Sequence, residues 1–305
     1  MGDPAGVGPE LIAGVWSRRD ALGLPPFVVV GSPAALEAAD ADPSLAFADP
    51  PLDAAYTPGE PTAEGGAAAL RALEIAAELV QSGECSGIVT APVSKANIAA
   101  SAPEFIGQTE FFADACDMSR DAAVMMLAGP SLRTVPITVH CALADVPARL
   151  SRELIVERCR IVARALITDF ALANPRLAIA GLNPHAGENG RMGREEIEII
   201  APAIAQLRTE GIDATGPHPA DTLFAPHRRD SYDVAIAMYH DQALVPLKTL
   251  DFDEGVNVTL GLPIVRTSPD HGTAFDIAGK RLARPDAMIA AIRMAGEITA
   301  RRAGA

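Results

Sequence analysis

The sequence predicts an α/β protein with a largely parallel sheet covered by helices. Short apolar or β-branched runs alternate with longer segments of helical period, which is typical of this class. The chain has 305 residues, of which 49% are hydrophobic and 21% charged, enough apolar material for a large core. At roughly 100 to 200 residues per domain, this length fits two domains or one large unit.

The periodicity of the chain places the individual elements. Strands are predicted at residues 27–31, 87–90, 132–140, 177–181, 233–239 and 256–262. Helices are predicted at 67–81, at 151–170 with Ser151 as the N-cap, at 194–210, and at 285–302 with Pro285 in the first turn. The proline-rich segment 42–61 is predicted to be an irregular connection.

Charge and cysteine content exclude several classes of partner. The formal net charge of -14 opposes attraction to a nucleic-acid backbone or an anionic membrane. Signal peptides and apolar runs of membrane-spanning length are absent from the sequence. The four cysteines form no C-x-x-C pair and are too few for a disulfide scaffold, so we expect thiols and a cytoplasmic location.

Three of the six histidines stand at or just beyond the ends of apolar runs: His140, His185 and His240. Ligands of open α/β sheets bind outside the carboxyl ends of the strands. Three imidazoles meeting there would suit a divalent cation such as zinc, with one position left for water or substrate. The alternative is that each histidine is separately hydrogen-bonded in its own loop.

Cations beside predicted strands suggest a phosphate site. Lys95, Lys248 and Arg266 follow or end apolar runs, and lysine with arginine can hold a dianionic phosphate. Asn257 and the Gln108-Thr109 pair could add neutral donors. The alternative is that the three cations are ordinary surface charges.

Two carboxylates lie near these groups along the chain. Asp221 and Asp241, the latter beside His240, are candidates for a general base or for a carboxylate that orients a ligand. The alternative for either is an aspartate that caps a helix or stabilises a turn.

Taken together and in order, these segments resemble the 4-hydroxythreonine-4-phosphate dehydrogenase family of pyridoxal phosphate biosynthesis. The resemblance runs essentially end to end and is carried by GDPAGVGPE at the start, TAPVSK, GLNPHAGE, PADTLF, MYHDQ, and VNVTLGLPIVRTSPDHGTAFDIAG. The chain begins where the family normally has a strand. We expect either that the start codon is misassigned and the strand is encoded upstream, or that the sheet has lost this strand.

The resemblance implies roles for the residues above. It implies that His140, His185 and His240 ligate a divalent metal (Zn, Mg or Co), in a cleft shared by the two subunits of a homodimer. It implies that Thr109, Lys248, Asn257 and Arg266 contact the phosphorylated substrate, and Gln108, beside Thr109, is a further candidate for this contact. It also implies two α/β/α lobes flanking a central cleft, one of residues 1–106 plus 277–305, the other of 107–276 with the metal and phosphate sites and the dimer contacts.

One position departs from the family pattern. Family members usually carry a histidine before the threonine, in a G-H-T-E segment, where this chain has Gln108. Glutamine keeps a hydrogen-bond donor but cannot carry charge or shuttle a proton. The alternative substrates are therefore 4-phospho-D-threonate and 4-phospho-D-erythronate, on which close relatives act.

A more distant similarity links the segment from His271 to Gly279 to the adenosine loop of the isocitrate and isopropylmalate dehydrogenases. This similarity implies that His271, Gly272, Asp276 and Ile277 bind the cofactor. A carboxylate at Asp276 can accept hydrogen bonds from the ribose hydroxyls of NAD and would repel the extra phosphate of NADP, so NAD is expected.

The expected reaction is metal-dependent oxidation by NAD of the C3 hydroxyl of 4-phosphohydroxy-L-threonine. The product, 2-amino-3-oxo-4-phosphooxybutanoate, would decarboxylate to 3-amino-2-oxopropyl phosphate. Asp221 is the first candidate for the base and Lys95 its rival. Two alternatives from other classes are a hydrolase that uses zinc-bound hydroxide and a protein that binds phosphate or metal without turnover.

Overall fold

The computed structural model describes residues 1–48, 52 and 56–304. The chain divides into two compact units. Unit 1 comprises Met1–Arg120 and Leu262–Ala300, and unit 2 comprises Asp121–Gly261 and the residues from Arg301 onward.

Over the described residues the chain forms eight strands. They are β1 Gly87–Val89, β2 Val124–Ala128, β3 Arg133–Thr138, β4 Arg176–Ala180, β5 Asp213–His218, β6 Val234–Tyr239, β7 Val256–Leu260 and β8 Val265–Pro269.

The same residues form twelve α-helices. They are α1 Gly8–Trp16, α2 Pro33–Ala38, α3 Ala63–Gln81, α4 Lys95–Ala99, α5 Gln108–Ala115, α6 Val146–Arg149, α7 Arg152–Thr168, α8 Ala201–Thr209, α9 Ala220–Leu223, α10 Pro226–Arg229, α11 His240–Asp251 and α12 Asp286–Ala303. Short 3-10 segments occupy Arg120–Ala122, Leu143–Asp145 and Pro184–Gly190, and a π-helical turn, Glu196–Ile200, precedes α8.

The strands of unit 2 form one mixed sheet in the order β7-β2-β3-β6-β4-β5. The pairs β3–β6, β6–β4 and β4–β5 are parallel, whereas β2 is antiparallel to both of its neighbours. The carboxyl ends of β3, β6 and β4 therefore lie side by side at one edge of the sheet.

Both faces of this sheet are covered. In β4 and β6, Ala178 and Ala235 belong to an apolar cluster with Leu244 and Leu247 of α11. The alternate residues Ile179 and Ile236 point to the other face and are also fully buried. Strands buried on both faces read as continuous apolar runs, which is why the sequence predicts them.

In unit 1 the strands β1 and β8 pair in parallel. The core packs α1 and α12 together through Leu11, Val15, Met288 and Ile292, with Ala278 of the His271–Gly279 segment in the same cluster. The predicted cofactor loop is therefore anchored to the main core of this unit.

The α/β class and most predicted elements are confirmed. Ser151 caps α7 as predicted, its side chain accepting from Leu154 N. The segment 27–31 forms only the isolated bridge from Val29 to Phe47, so the predicted strand there was wrong. Part of the predicted irregular connection 42–61 lies outside the described residues.

The strands β2, β5 and β8 and the helix α11 were not predicted. β5 contains Gly, Pro and His and is only partly buried, and β8 carries Arg266 within a fully buried strand. In both cases tertiary pairing overrides a local pattern that does not favour a strand.

The boundaries between the two units differ from the expected lobe boundaries, which were between residues 106 and 107 and between residues 276 and 277. The observed changes fall at 120/121 and 261/262. Two contacts explain the shift, since β8 pairs with β1 and Arg266 donates to Gln108. The segments that carry Gln108, Thr109 and Arg266 consequently belong to unit 1.

Among the described residues, no helix combines the length and the apolar character that crossing a membrane requires.

Asp233, just before β6, ties that strand to β4. Its carboxylate accepts from Arg176 N at 2.8 Å and from the Arg176 guanidinium at 3.0 and 3.1 Å. These bonds hold the pKa of Asp233 below its ordinary value. Since Arg176 is 43% exposed, solvent screens the pair and keeps its contribution to about 1 kcal/mol.

We predict that Asp233→Asn lowers the free energy of unfolding by about 1 kcal/mol at pH 7. A carboxylate with a depressed pKa stabilises the fold above its unfolded pKa and loses that contribution as pH falls through the folded pKa. The difference from wild type should therefore vanish in strong acid. Thermal unfolding at several pH values measures it, with the exposed Asp20→Asn as the control; a difference independent of pH would contradict the assignment.

Candidate active site

Two of the three predicted metal ligands lie together in unit 2. His140 follows β3 by two residues and His240 directly follows β6, its parallel neighbour. The centroids of the two imidazole rings are 6.0 Å apart. The carboxyl edge of the sheet thus brings together two side chains that are 100 residues apart in sequence.

A chain of buried hydrogen bonds connects the three strand ends. Thr138 Oγ1 at the end of β3 donates to Met238 O at 2.8 Å. Met238 N donates to Gln242 Oε1 at 2.6 Å, and Gln242 Nε2 donates to Gly181 O at 2.8 Å. Gln242 therefore fixes the end of β6, which leads to His240, against the end of β4, which leads to His185.

Asp241 orients the His240 ring. Nδ1 of His240 lies 2.7 Å from Asp241 Oδ1. With the proton on Nδ1 donated to this carboxylate, the lone pair of Nε2 is available to a cation. Carboxylate–histidine pairs of this kind are usual around metal ions.

His185 lies in a turn of unusual conformation. Six consecutive residues of the segment Pro184–Gly190 have positive φ, from 53° at His185 to 90° at Gly190. Each L-residue in this region costs about 1–2 kcal/mol. Such conformations persist only where the surroundings determine them, and they cluster at functional sites. His140 shares the feature, with φ 47°.

Within the part of the chain that the structure describes, the His185 ring does not complete a three-ligand cluster. Over the described residues, no three or more His, Cys, Asp or Glu side chains are grouped closely enough to hold a metal ion. The structure pairs His140 with His240, and the participation of His185 stays a prediction.

Three further predicted residues belong to unit 2. Lys248 is half-buried in α11, two turns beyond His240. The buried Oδ1 of Asn257 in β7 has no hydrogen-bond partner in the described structure, which leaves a polar group to be satisfied by a ligand. Asp221 is exposed on α9, a helix that contacts the Pro184–Gly190 turn.

Arg266 is the most buried cation of the predicted phosphate site, in unit 1. Its side chain is 3% exposed, and its Nη2 donates to Thr90 Oγ1 at 2.7 Å and to Gln108 Oε1 at 2.8 Å. Burial lowers the pKa of Arg266 to about 10, so the guanidinium remains charged at pH 7. The nearby Glu110 carboxylate acts in the opposite direction to burial and raises this pKa.

Gln108 holds Arg266 in place. Its oxygen accepts from Arg266, and its Nε2 donates to Ala91 O at 3.3 Å. Both the oxygen and the nitrogen of the Gln108 side-chain amide are therefore hydrogen-bonded within unit 1. The glutamine that replaces the usual histidine acts here as a neutral acceptor for the guanidinium.

Thr109 and Lys95 lie near Gly107, which precedes α5. Thr109 is in the first turn of α5, where backbone N–H groups are available to an anion. A Cβ at Gly107 would lie 3.2 Å from Lys95 Nζ, so the Lys95 ammonium lies beside the start of α5.

The predicted cofactor segment lies against the glycine-rich opening of the chain in unit 1. Val7 N donates to Thr273 O at 3.0 Å, and a Cβ at Gly6 would lie 2.9 Å from the same oxygen. Lys280 Nζ donates to Asp276 O at 2.7 Å, leaving the Asp276 carboxylate exposed. His271, Gly272 and Ile277 lie in the same loop.

A cavity of about 270 Å³ lies elsewhere in unit 2, at the amino ends of β3, β4 and β6. Its lining includes Arg176 and Asp233, which bond to each other. Ligands of such sheets bind at the carboxyl ends of the strands. This cavity lies at the amino ends and is therefore not part of the candidate site.

Sequence reasoning did not identify Gln242, Thr138 or Glu196 as contributors. Gln242 ends the MYHDQ segment, two residues after His240, so its position was visible but its double hydrogen bond was not. Glu196 lies eleven residues beyond His185 and is 3% exposed. A glutamate in an otherwise apolar helical pattern was the available signal.

The fold belongs to the isocitrate dehydrogenase-like class. The chain aligns with isocitrate dehydrogenase from Methylococcus capsulatus at a TM-score of 0.50 and 14% identity, over 99% of this chain and 84% of the other. At this identity the likeness concerns the fold alone.

Closer relatives specify the family. The model of the pyridoxal phosphate biosynthetic protein PdxA matches residues 28–295. The 4-hydroxythreonine-4-phosphate dehydrogenase of Erythrobacter litoralis is 56% identical over 100% of this chain and 97% of its own length. A crystal structure of that enzyme from Klebsiella pneumoniae aligns at a TM-score of 0.86 and 37% identity, covering 98% and 96% of the two chains. The chain belongs to the PdxA family and is an oxidoreductase.

We predict that Gln242→Leu destabilises unit 2 by about 2 kcal/mol or more, because it leaves Met238 N–H and Gly181 C=O buried without a partner. Thermal unfolding measures the loss. Gln206→Leu, which removes only surface hydrogen bonds, is the matched control and should change stability by less than about 0.5 kcal/mol. Equal effects of the two substitutions would contradict the role of Gln242.

Proposed function

We propose that this protein oxidises the C3 hydroxyl of 4-phosphohydroxy-L-threonine with NAD in a metal-dependent reaction, in the cytoplasm and as a homodimer whose subunits share the site. The relatives named 4-hydroxythreonine-4-phosphate dehydrogenase support the substrate. The observation that carries the proposal is the pairing of the His140 and His240 rings at the carboxyl edge of the sheet.

The divalent cation would be held by His140, His240 and His185. The first two rings already lie together, and Asp241 orients His240. His185, in the turn that follows β4, would be the third ligand. When bound, the cation supplies Lewis acidity that lowers the pKa of the substrate hydroxyl.

The phosphate end of the substrate would be held by cations and neutral donors. Arg266 supplies a buried guanidinium oriented by Thr90 and Gln108, and Thr109 supplies the first turn of α5. Lys248 and Asn257 would contribute the remaining contacts. Fixing the phosphate determines which carbon faces the cofactor, and such positioning can account for much of the rate.

The nicotinamide cofactor would bind along the His271–Gly279 loop. His271, Gly272 and Ile277 would contact the adenosine, and the exposed Asp276 carboxylate would accept hydrogen bonds from the ribose hydroxyls. A negative charge at this position disfavours the additional phosphate of NADP.

The oxidation removes a hydride from C3, which carries both electrons, and a proton from the C3 hydroxyl. The hydroxyl proton leaves to a base, for which Asp221 is the first candidate and Lys95 the second, and the C3 hydride passes to NAD. The resulting 2-amino-3-oxo acid loses carbon dioxide when the C1–C2 bond breaks. The electron pair moves into the C3 carbonyl, and protonation of C2 yields 3-amino-2-oxopropyl phosphate.

A substrate panel tests the proposal. NADH formation should be measured with 4-phosphohydroxy-L-threonine, 4-phospho-D-threonate and 4-phospho-D-erythronate, each with NAD and with NADP. We expect the highest kcat/KM for the first substrate with NAD. A preference for either sugar-acid phosphate would reassign the substrate. Release of inorganic phosphate without NADH would instead indicate a zinc-dependent hydrolase.

We predict that His185→Ala abolishes turnover and metal retention together, because the cation loses one of three ligands. Elemental analysis of the purified variant and a kcat measurement check this. His227→Ala, an exposed histidine of α10, is the control and should retain both properties. An active, metal-free His185→Ala variant would exclude the metal-dependent mechanism.

We predict that Arg266→Gln raises KM for the phosphorylated substrate by about ten-fold or more while KM for NAD changes little, because a charge-assisted bond to phosphate is lost. Steady-state kinetics with each substrate varied in turn measure the effect. Arg71→Gln, at an exposed ion pair of α3, is the control. An unchanged substrate KM would remove Arg266 from the phosphate site.

A further inference from the structure

The turn that carries His185 encloses one buried carboxylate. Glu196, the first residue of the π-helical turn before α8, is 3% exposed. Its Oε1 accepts from Asn183 N at 2.8 Å, and its Oε2 accepts from Asn183 Nδ2 at 3.0 Å. Asn183 is the residue from which the Pro184–Gly190 segment begins.

The glycines around the turn show how closely Glu196 fits. A Cβ at Gly187 would collide with Glu196 Oε2, and one at Gly181 would lie 3.1 Å from Glu196 Oε1 and 2.9 Å from Ala186 Cα. The carboxylate therefore lies against residues on both sides of His185. Without a side chain at positions 181 and 187, the turn can close around it.

The π-helical turn places the carboxylate there. Ala201 N, at the start of α8, donates to Glu196 O. The extra residue in such a turn changes the direction of the side chains before it, and π turns are frequent at functional sites. The neighbouring Glu195 contacts Asn183 Nδ2 from outside at 2.7 Å and remains half-buried.

We propose that Glu196 is a positioning residue for the metal site: it holds the left-handed turn so that His185 is presented to the cation. This inference rests on the proposed role of His185 as a ligand. Because such a run of left-handed residues is unfavourable on its own, the Asn183 contacts to Glu196 are what fix the path of the chain into His185.

The test uses the full-length protein, freed of metal by a chelator and titrated with Co²⁺, whose visible absorption reports coordination. Glu196→Gln keeps the size of the side chain but replaces one carboxylate oxygen by an NH₂ group. That group cannot accept from an Asn183 donor, so one of the two hydrogen bonds is lost. We expect the Co²⁺ dissociation constant to rise about ten- to hundred-fold, with an altered Co²⁺ spectrum. Glu198→Gln, at an exposed pair with Arg194, should bind Co²⁺ as wild type does.

Unchanged Co²⁺ affinity and spectrum in Glu196→Gln would overturn the inference, even if the thermal midpoint falls, since a purely structural role predicts that pattern. If circular dichroism shows that Glu196→Gln does not fold, the variant Asn183→Ala is measured instead. We expect it to lose less Co²⁺ affinity than Glu196→Gln would, and an unchanged affinity would overturn the inference. The variant His185→Ala distinguishes a failure of this inference from a failure of the proposed ligand role of His185. Loss of Co²⁺ binding there with wild-type binding in Glu196→Gln refutes this inference alone, whereas retained binding in His185→Ala refutes the ligand assignment.

Discussion

The candidate site depends on a short chain of buried hydrogen bonds across three strand ends. Thr138, Met238, Gln242 and Gly181 tie β3, β6 and β4 together just before each strand gives way to a histidine. Parallel pairing places the carboxyl ends of the strands side by side, but the loops that follow can still move relative to one another. The buried amide of Gln242 reduces that freedom, because moving either neighbouring strand end would leave a polar group without a partner.

Arg266 is a buried cation in an acidic protein. The protein carries a formal charge of -14, yet one guanidinium is buried in β8 with its pKa lowered to about 10 by burial. Keeping a cation in that position costs desolvation free energy. Thr90, Gln108 and the nearby Glu110 carboxylate offset part of this cost, and a bound phosphate would offset more. The glutamine at position 108 thus fits an anion site without itself adding charge.

The sequence was sufficient for the α/β class and for strands buried on both faces, because their apolar runs are local signals. The positions of His140, His185 and His240 after apolar runs predicted that all three meet at the carboxyl edge, and the structure pairs the first and the last. The sequence did not show that β3 and β6 are neighbours. It was not sufficient for β5 and β8, whose Gly, Pro and Arg residues are accepted only because neighbouring strands pair with them. Nor could it reveal the left-handed turn at His185 or the enclosure of Glu196, which depend on contacts formed after folding.

The most direct measurement is X-ray absorption at the zinc edge of the purified protein loaded with one Zn²⁺ per chain. Three imidazole nitrogens from His140, His185 and His240 should appear at about 2.0–2.1 Å, with the remaining position filled by a lighter oxygen ligand. The imidazole scattering should fall by one ligand when His185 is replaced. A spectrum with two or fewer imidazoles in the wild-type protein, or one unaffected by that replacement, would contradict a three-histidine centre.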